Sequence, residues 1–152
     1  MAKAIIVYES KFGNTRLAAE AIAEGMSGAG VEAVLSELKG VEPESLAGFD
    51  AILVGSPNHM GGATRSIRKF IDKLGKLELE GKAVAVFDTY LGKDFEKAVK
   101  KMEKQMGEKA PGLKILAPGL SIRVEGVKGP VTRGEPDKCR EFGAKIAERL
   151  TG

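Results

Sequence analysis

The sequence predicts an α/β fold in which a doubly wound, five-stranded parallel sheet carries helices on both faces. Strand-like and helix-like patterns alternate along the whole chain, with no internal repeat and no linker rich in serine, proline or glycine. Three strand-like runs, residues 4–8, 51–55 and 83–87, are continuously apolar, as strands covered on both faces must be. The length of 152 residues suits one domain, which we expect to span residues 1–152.

Two more polar strand-like runs are expected at the edges of the sheet. Polar positions interrupt residues 31–36, and residues 120–124 alternate between apolar and polar side chains. The second and fifth strands are the edges in the order 2-1-3-4-5, whereas a five-stranded piece of the Rossmann order places the third strand at an edge. The third strand here is among the most apolar, so the pattern favours 2-1-3-4-5, with right-handed crossovers.

Apolar residues recur at helical spacing in four other segments, which we predict to be helices. Their stripes are Ala18, Ile22 and Met26; Ile67, Phe70, Ile71 and Leu74; Phe95, Val99, Met102 and Met106; and Cys139, Phe142, Ile146 and Leu150. Cys139, the only cysteine, is therefore expected to be a buried, inert thiol in a reducing compartment. The irregular segment 125–136 has the length of a functional loop, but we interpret it as a surface connection.

Composition excludes several classes of function. The net charge is only +3, with 24 basic and 21 acidic residues interspersed, and there are six Phe, two Tyr and no Trp. A nucleic-acid partner is therefore not expected. No apolar run approaches membrane-spanning length, and only Lys3 precedes the first strand as a basic residue, so we expect a cytoplasmic protein with no membrane partner.

The first loop, residues 10–15, has the residues of a phosphate-binding turn. It lies between a buried strand and a helix whose free N–H groups and positive dipole end would face an anion. Gly13 allows close backbone approach, while Ser10, Asn14 and Thr15 add side-chain donors. The alternative is an ordinary strand-to-helix turn in which Asn14 or Thr15 is the N-cap.

Two further loops should reach the same edge of the sheet, because ligands bind beyond the carboxyl ends of such strands near the switch point. The second loop is residues 55–64 and the third is residues 88–92. Met60 and Tyr90 suit the two faces of a planar ring system, since a thioether and a phenol both pack on aromatic surfaces. Alternatively, Met60 fills the core and Tyr90 is an ordinary surface residue.

Together the three loops resemble those of the flavodoxin family, and the resemblance covers nearly the whole chain. It implies the flavodoxin-like fold, FMN as the cofactor, and electron transfer through the semiquinone and hydroquinone states of the flavin. Residues 10–15 would hold the phosphate, while residues 58–62 and 88–92 would frame the isoalloxazine. The implied cofactor-binding residues are Ser10, Lys11, Phe12, Gly13, Asn14, Thr15, Ser56, Pro57, Asn58, His59, Met60, Gly61, Gly62, Asp88, Thr89, Tyr90, Leu91 and Gly92.

The resemblance also implies a role for the Gly61–Gly62 peptide. In flavodoxins a glycine peptide beside flavin N5 turns over on one-electron reduction, and its carbonyl then accepts a hydrogen bond from N5. Tyr90 against the ring should disfavour the anionic hydroquinone and give a low potential, an effect that nearby basic residues such as Lys11 would oppose. His59, the only histidine, either exchanges protons beside the flavin or has no role.

The chain departs from the best-known flavodoxins in being slightly basic and lacking tryptophan, so their partners cannot be transferred to it. The runner-up is an NAD(P)H-dependent quinone or FMN reductase, a class with a similar second loop. No G-x-G-x-x-G motif is present, which favours the carrier. A phospho-receiver is excluded because residues 55–57 lack the required aspartate. We expect redox protein partners, no catalytic residue, no metal, and a monomer or weak homodimer.

Overall fold

A computed structural model describes residues 2–151. The strands are β1 (Lys3–Tyr8), β2 (Glu32–Glu37), β3 (Ala51–Pro57), β4 (Ala83–Tyr90), β5 (Lys114–Ile115) and β6 (Leu120–Arg123). The helices are α1 (Asn14–Gly28), α2 (Arg65–Leu74), α3 (Lys97–Lys109) and α4 (Glu135–Thr151). Two short 3₁₀ segments, Leu38–Gly40 and Pro43–Gly48, connect β2 to β3. No helix within residues 2–151 is long and apolar enough to cross a membrane.

The strands form one parallel sheet in the order β2-β1-β3-β4-β5, which confirms the predicted order. The three apolar runs are its central strands, whereas β2 has no fully buried residue, as expected of an edge. The fifth strand is split, because β5 pairs with the start of β4 and β6 pairs with its end. Pro118, which lies between them, has no N–H for a ladder bond, so the strand is interrupted there.

The hydrophobic core has two layers, one on each face of the sheet. Alternate residues of β1 divide between them, so that Ile6 packs with α1 and α4 while Ile5 packs with α2 and α3. The apolar stripes predicted for the four helices face these layers, with one exception. Phe95 precedes the start of α3 and is 56% exposed, and its ring packs edge-on against Tyr90 instead. Cys139 is fully buried, and loss of solvation raises the pKa of its thiol to about 12.

Two glycines allow α1 and α4 to lie against each other at close range. A Cβ atom on Gly25 would lie 1.9 Å from the carbonyl oxygen of Arg140, and one on Gly143 would lie 2.1 Å from that of Ile22. Neither glycine has a positive φ, so the requirement is for space rather than for backbone freedom. This contact fixes α4 on the sheet face that also carries α1, whose N-terminus belongs to the first loop.

Candidate cofactor site

The first loop leaves the N-terminus of α1 open. Gly13 is the residue before the helix, with a φ of 91°, and no side chain caps the helix. The first-turn N–H groups of Asn14, Thr15 and Arg16 therefore have no intrahelical acceptor. Ser10 closes the turn by accepting a hydrogen bond from Gly13 N at 3.0 Å. The alternative of an ordinary turn capped by Asn14 or Thr15 is wrong, because neither side chain caps the helix.

Thr89, near the end of β4, connects all three loops. Its hydroxyl lies 3.0 Å from the hydroxyl of Thr15, and both residues are buried. Its carbonyl accepts a hydrogen bond from Asn58 N at 2.7 Å. The first and second loops are thus attached to the strand that leads into the third, and the three loops meet at the carboxyl edge of the sheet.

The second loop ends in a tight turn. His59 N donates to Gly62 O at 2.7 Å, and Gly62 N donates back to His59 O at 3.2 Å. The two residues between them, Met60 and Gly61, have positive φ values of 55° and 82°, as in a type I′ turn. Asn58 Oδ1 accepts a hydrogen bond from Gly61 N at 3.0 Å and holds the turn in place.

A groove of about 290 Å³, which we call the cofactor groove, opens between the three loops. It is lined by Ser10, Lys11, Phe12, Asn14, Thr15, Pro57, Asn58, His59, Thr89, Tyr90, Leu91, Val124 and Val127. The first eleven of these belong to the eighteen residues expected from the sequence. The polar donors of the first loop and the Tyr90 side chain therefore line one cavity. Burial raises the pKa of the Tyr90 phenol, which stays uncharged at neutral pH.

The other seven expected residues do not line the cofactor groove. Gly13, Gly61 and Gly92 shape its loops through positive φ values. Met60 and Gly62 line a neighbouring groove, and the Met60 side chain is 93% exposed. The remaining two, Ser56 and Asp88, are buried behind the loops.

Ser56 and Asp88 hold the second and third loops from behind. Ser56 Oγ accepts from Thr64 N at 3.0 Å and donates to Pro57 O at 2.8 Å. Asp88 accepts from Ser121 Oγ at 2.6 Å and from Val99 N at 3.0 Å, which joins β4 to β6 and to α3. Loss of solvation raises the pKa of the Asp88 carboxyl to about 6, although both hydrogen bonds oppose the rise.

Val124 and Val127 are site residues that the sequence analysis missed. They belong to a hairpin arm, residues 124–131, in which Val124 pairs with Val131 and Glu125 N donates to Pro130 O at 2.8 Å. The arm rests on the first loop, since a Cβ on Gly129 would lie 2.5 Å from Asn14 Oδ1. The segment is thus a surface hairpin, as interpreted, but two of its residues also line the cofactor groove. The sequence does contain a pattern that could have indicated this hairpin, since Gly126 and Gly129 enclose a two-residue tip.

The cofactor groove suits a planar ring system that carries a phosphate. Its lining combines the first loop, with the free amides of α1 and the hydroxyl of Ser10, and the apolar surface of Tyr90, Leu91 and Val127. Asn58 Nδ2 is buried and has no hydrogen-bond acceptor among residues 2–151, so a ligand carbonyl would satisfy it. In the same part of the chain, no group of three or more His, Cys, Asp or Glu side chains is placed to hold a metal ion.

The flavodoxin domain family matches residues 5–123 of the sequence. The chain belongs to the flavodoxin family. This agrees with the resemblance seen in the three loops, and proteins of the family bind a flavin, typically FMN. The observed strand order is the flavodoxin-like one.

Known relatives of this flavodoxin-family chain include both carriers and enzymes. A solved flavodoxin from the domain Archaea is 30% identical, with a TM-score of 0.85 and 99% of each chain covered. A flavodoxin of Aquifex aeolicus (strain VF5) is 34% identical over 93 residues, which cover 59% of this chain and 50% of the relative. An NAD(P)H dehydrogenase (quinone) of Archaeoglobus fulgidus is 33% identical over 116 residues, covering 57% of this chain and 61% of the relative. The chain thus spans about half the length of the curated relatives it matches.

Proposed function

We propose that the protein binds FMN in the cofactor groove and carries electrons between redox proteins. The observation that supports this most directly is that the uncapped N-terminus of α1 and the Tyr90 side chain line the same cavity. A phosphate on the helix end and a flat ring beside Tyr90 would satisfy both at once. FMN, when bound, supplies one-electron redox chemistry.

The residues of the groove divide into a holding set and a ring-facing set. Ser10, Asn14 and Thr15 would bind the phosphate through their amides and hydroxyls. Asn58 would donate its unpaired Nδ2–H to a carbonyl oxygen of the ring, and Tyr90 would cover one face. Leu91 and Val127 would exclude water from the ring edge. Met60, the residue expected on the opposite face, lines the neighbouring groove instead, so the proposal assigns only Tyr90 to a face of the ring.

A second candidate is an NAD(P)H-dependent quinone or FMN reductase. It is favoured by the 33% identity to the Archaeoglobus fulgidus NAD(P)H dehydrogenase (quinone). Such an enzyme needs room for a nicotinamide next to the flavin in addition to the cofactor groove. The two candidates therefore share the cofactor and differ in the electron donor.

Reconstitution with FMN separates the two candidates. The flavin-free protein is titrated with FMN, the complex is reduced stepwise, and NADH and NADPH are then tested with a quinone acceptor. Binding, two separate one-electron steps and no turnover would support the carrier, whereas rapid turnover would support the reductase. Failure to bind FMN would contradict both.

A pair of variants tests whether FMN occupies the groove. Tyr90→Ala should weaken FMN binding by about tenfold, because stacking of an aromatic side chain on a planar ring contributes about 1–3 kcal/mol. Leu35→Ala is the control, since Leu35 is an exposed apolar residue on the edge strand β2 and does not line the cofactor groove. Equal affinities for the two variants would place FMN elsewhere.

A further inference from the structure

A second and larger groove lies beside the second loop, between α2 and α3. Its volume is about 620 Å³, and we call it the basic groove. Arg65 and Arg68 line it from α2, Lys101 lines it from α3, and no carboxylate is part of the lining. Arg65 and Arg68 are three residues apart, so they share one face of α2. The function proposed above makes no use of these three cations.

The cations of the basic groove are not neutralised by neighbouring carboxylates. Within residues 2–151, no acidic side chain lies within ion-pairing distance of Arg65, Arg68 or Lys101. Two of the acidic residues on the same two helices have other hydrogen-bond partners. Asp72 accepts from Gln105 Nε2 at 2.8 Å, and Glu103 accepts from Gly119 N at 2.9 Å. The lining of the groove is therefore net positive.

The basic groove adjoins the cofactor groove through the second loop. His59 lines both cavities, and Lys101 Nζ lies 3.7 Å from the position that a Cβ on Gly61 would take. Met60 projects from the same turn with 93% of its surface exposed. Met60 thus shares a groove with three cations, and protein interfaces combine an apolar centre with a polar rim. Anything bound here would lie one loop away from the flavin.

We propose that the basic groove is the docking site of an acidic redox protein, a proposal that rests on the proposed FMN-dependent electron transfer. Carboxylates of the partner pair with Arg65, Arg68 and Lys101, and an apolar side chain of the partner packs on Met60. The commitment to an acidic partner follows from charge complementarity, because three unpaired cations repel a basic protein and attract an acidic one.

The groove is better suited to a protein than to a nucleotide. Its cations project from two separate helices, and the N-terminus of α2 has a side-chain cap, which the N-terminus of α1 does not. Thr64 N donates to Ser56 Oγ at 3.0 Å, and Ile67 N donates to Thr64 Oγ1 at 3.3 Å. The electron-transfer step itself makes and breaks no bond between the partners. The reduced flavin loses one electron, and the partner's redox centre gains it.

The test uses two forms of one acceptor, native cytochrome c and fully succinylated cytochrome c. Succinylation replaces lysine ammonium groups with carboxylates and retains the haem. The FMN-loaded protein is reduced with dithionite and freed of excess reductant. Reduction of haem iron from Fe(III) to Fe(II) is then followed by stopped flow at several salt concentrations.

Two double variants with the same change in net charge isolate the groove. The groove variant is Arg68→Gln with Lys101→Gln. The control is Lys73→Gln with Lys109→Gln, which removes two cations from the far ends of the same helices. The groove variant should reduce the succinylated cytochrome about tenfold more slowly than the control at low salt, because charge steering changes association rates by at least that factor. The difference should shrink as salt rises, and native cytochrome c should show no such loss.

Equal slowing in both double variants would overturn the proposal, since net charge alone would then explain the rates. Reduction of the bound flavin by NADPH, lost only in the groove variant, would also overturn it and identify a nucleotide site. FMN binding is measured first, by flavin absorbance. If the wild-type protein does not bind FMN, the proposed function fails and the docking proposal fails with it, before any cytochrome is added.

Discussion

Gly61 and Gly62 are neighbours in the second loop with different backbone requirements. Gly61 has a φ of +82°, whereas Gly62 has no positive φ and an added Cβ would meet only Lys101 Cδ at 3.7 Å. Gly61→Ala should destabilise the observed conformation of the turn by about 1–2 kcal/mol, because alanine is strained at a positive φ. It should therefore change the separation of the two one-electron potentials of bound FMN, by about 60 mV for each 1.4 kcal/mol of differential stabilisation. Potentiometry checks this.

Gly62→Ala is the matched control for Gly61→Ala, because its added methyl group makes only an ordinary contact. The peptide between the two glycines is held by one hydrogen bond of 3.2 Å, from Gly62 N to His59 O. A peptide that turns over on reduction would have to break it. If both variants keep the wild-type separation of potentials, the role expected for this peptide is wrong.

Asp88 makes stability depend on pH in an unusual direction. Its pKa rises from 3.8 to about 6 on folding, so the folded state binds the proton more tightly than the unfolded state. The resulting stabilisation is complete below about pH 4 and is lost as the pH rises through 6. Its size is up to about 3 kcal/mol, from two pKa units at 1.36 kcal/mol each.

Asp88→Asn removes this titration. It also leaves one oxygen to accept hydrogen bonds where Asp88 uses two. The difference in unfolding free energy between wild type and variant should narrow by up to about 3 kcal/mol between pH 4 and pH 7. Urea unfolding of both proteins at the two pH values measures this difference in unfolding free energy. Glu108→Gln, on the exposed face of α3, controls for the loss of one negative charge. A constant difference for Asp88→Asn would show that its carboxyl titrates equally in both states.

Single residues also show where sequence reasoning succeeds and fails at the site. The polar donors of the first loop could be predicted because a glycine followed by Asn14 and Thr15, between a buried strand and a helix, is typical of an anion-binding turn. Phe95 could not be placed, because its spacing matched the α3 stripe although the helix begins at Lys97. Met60 was expected against the flavin, and its side chain is exposed at the tip of a tight turn, outside the lining of the cofactor groove.

At the scale of elements, the contact between α1 and α4 depends on the absence of a side chain at Gly143. An alanine Cβ there would lie 2.1 Å from Ile22 O, so the helices would have to move apart. Gly143→Ala should lower the free energy of unfolding by about 1–3 kcal/mol, the usual cost of overpacking a core. Chemical denaturation monitored by circular dichroism measures the loss.

Gly28→Ala provides the comparison within α1. Nothing lies within 4 Å of an added Cβ, and Gly28 has no positive φ. Because alanine is the better helix former, this variant should be as stable as the wild type or more stable by up to about 1 kcal/mol. Equal destabilisation by the two substitutions would mean that backbone entropy, and not helix contact, explains the glycine at 143.

The hairpin arm and the split fifth strand are the elements that the sequence did not reveal. Both depend on contacts between distant segments. β5 is only two residues long and pairs with β4 because Leu113 and Leu116, on either side of it, are buried. The arm is held by the Val124–Val131 bridge, by backbone hydrogen bonds such as that from Glu125 N to Pro130 O, and by its contact with Asn14. Neither leaves a hydrophobic period long enough to be seen in the sequence.

For the whole molecule, the sheet order could be predicted because burial on both faces leaves continuous apolar runs only in central strands. Cofactor binding should stabilise this fold as a unit. At FMN concentrations about 100 times the Kd, linkage adds about 2.7 kcal/mol. For a domain of this size that raises the Tm by roughly 5–11 °C.

Riboflavin at the same concentration is the control for the contribution of the first loop, since it has the ring system without the phosphate. It should raise the Tm much less than FMN does, and differential scanning calorimetry compares the two. Equal shifts would mean that the free amides of α1 contribute nothing to binding.

Cys139 gives the protein a practical property. The only thiol in the chain is enclosed between α4 and the sheet, and its pKa of about 12 keeps it protonated at neutral pH. Maleimide and iodoacetamide reagents attack thiolates at accessible positions. A cysteine introduced at the exposed position Val127 would thus be the single site labelled in the native protein. A dye attached there would report the approach of a partner without any need to remove Cys139.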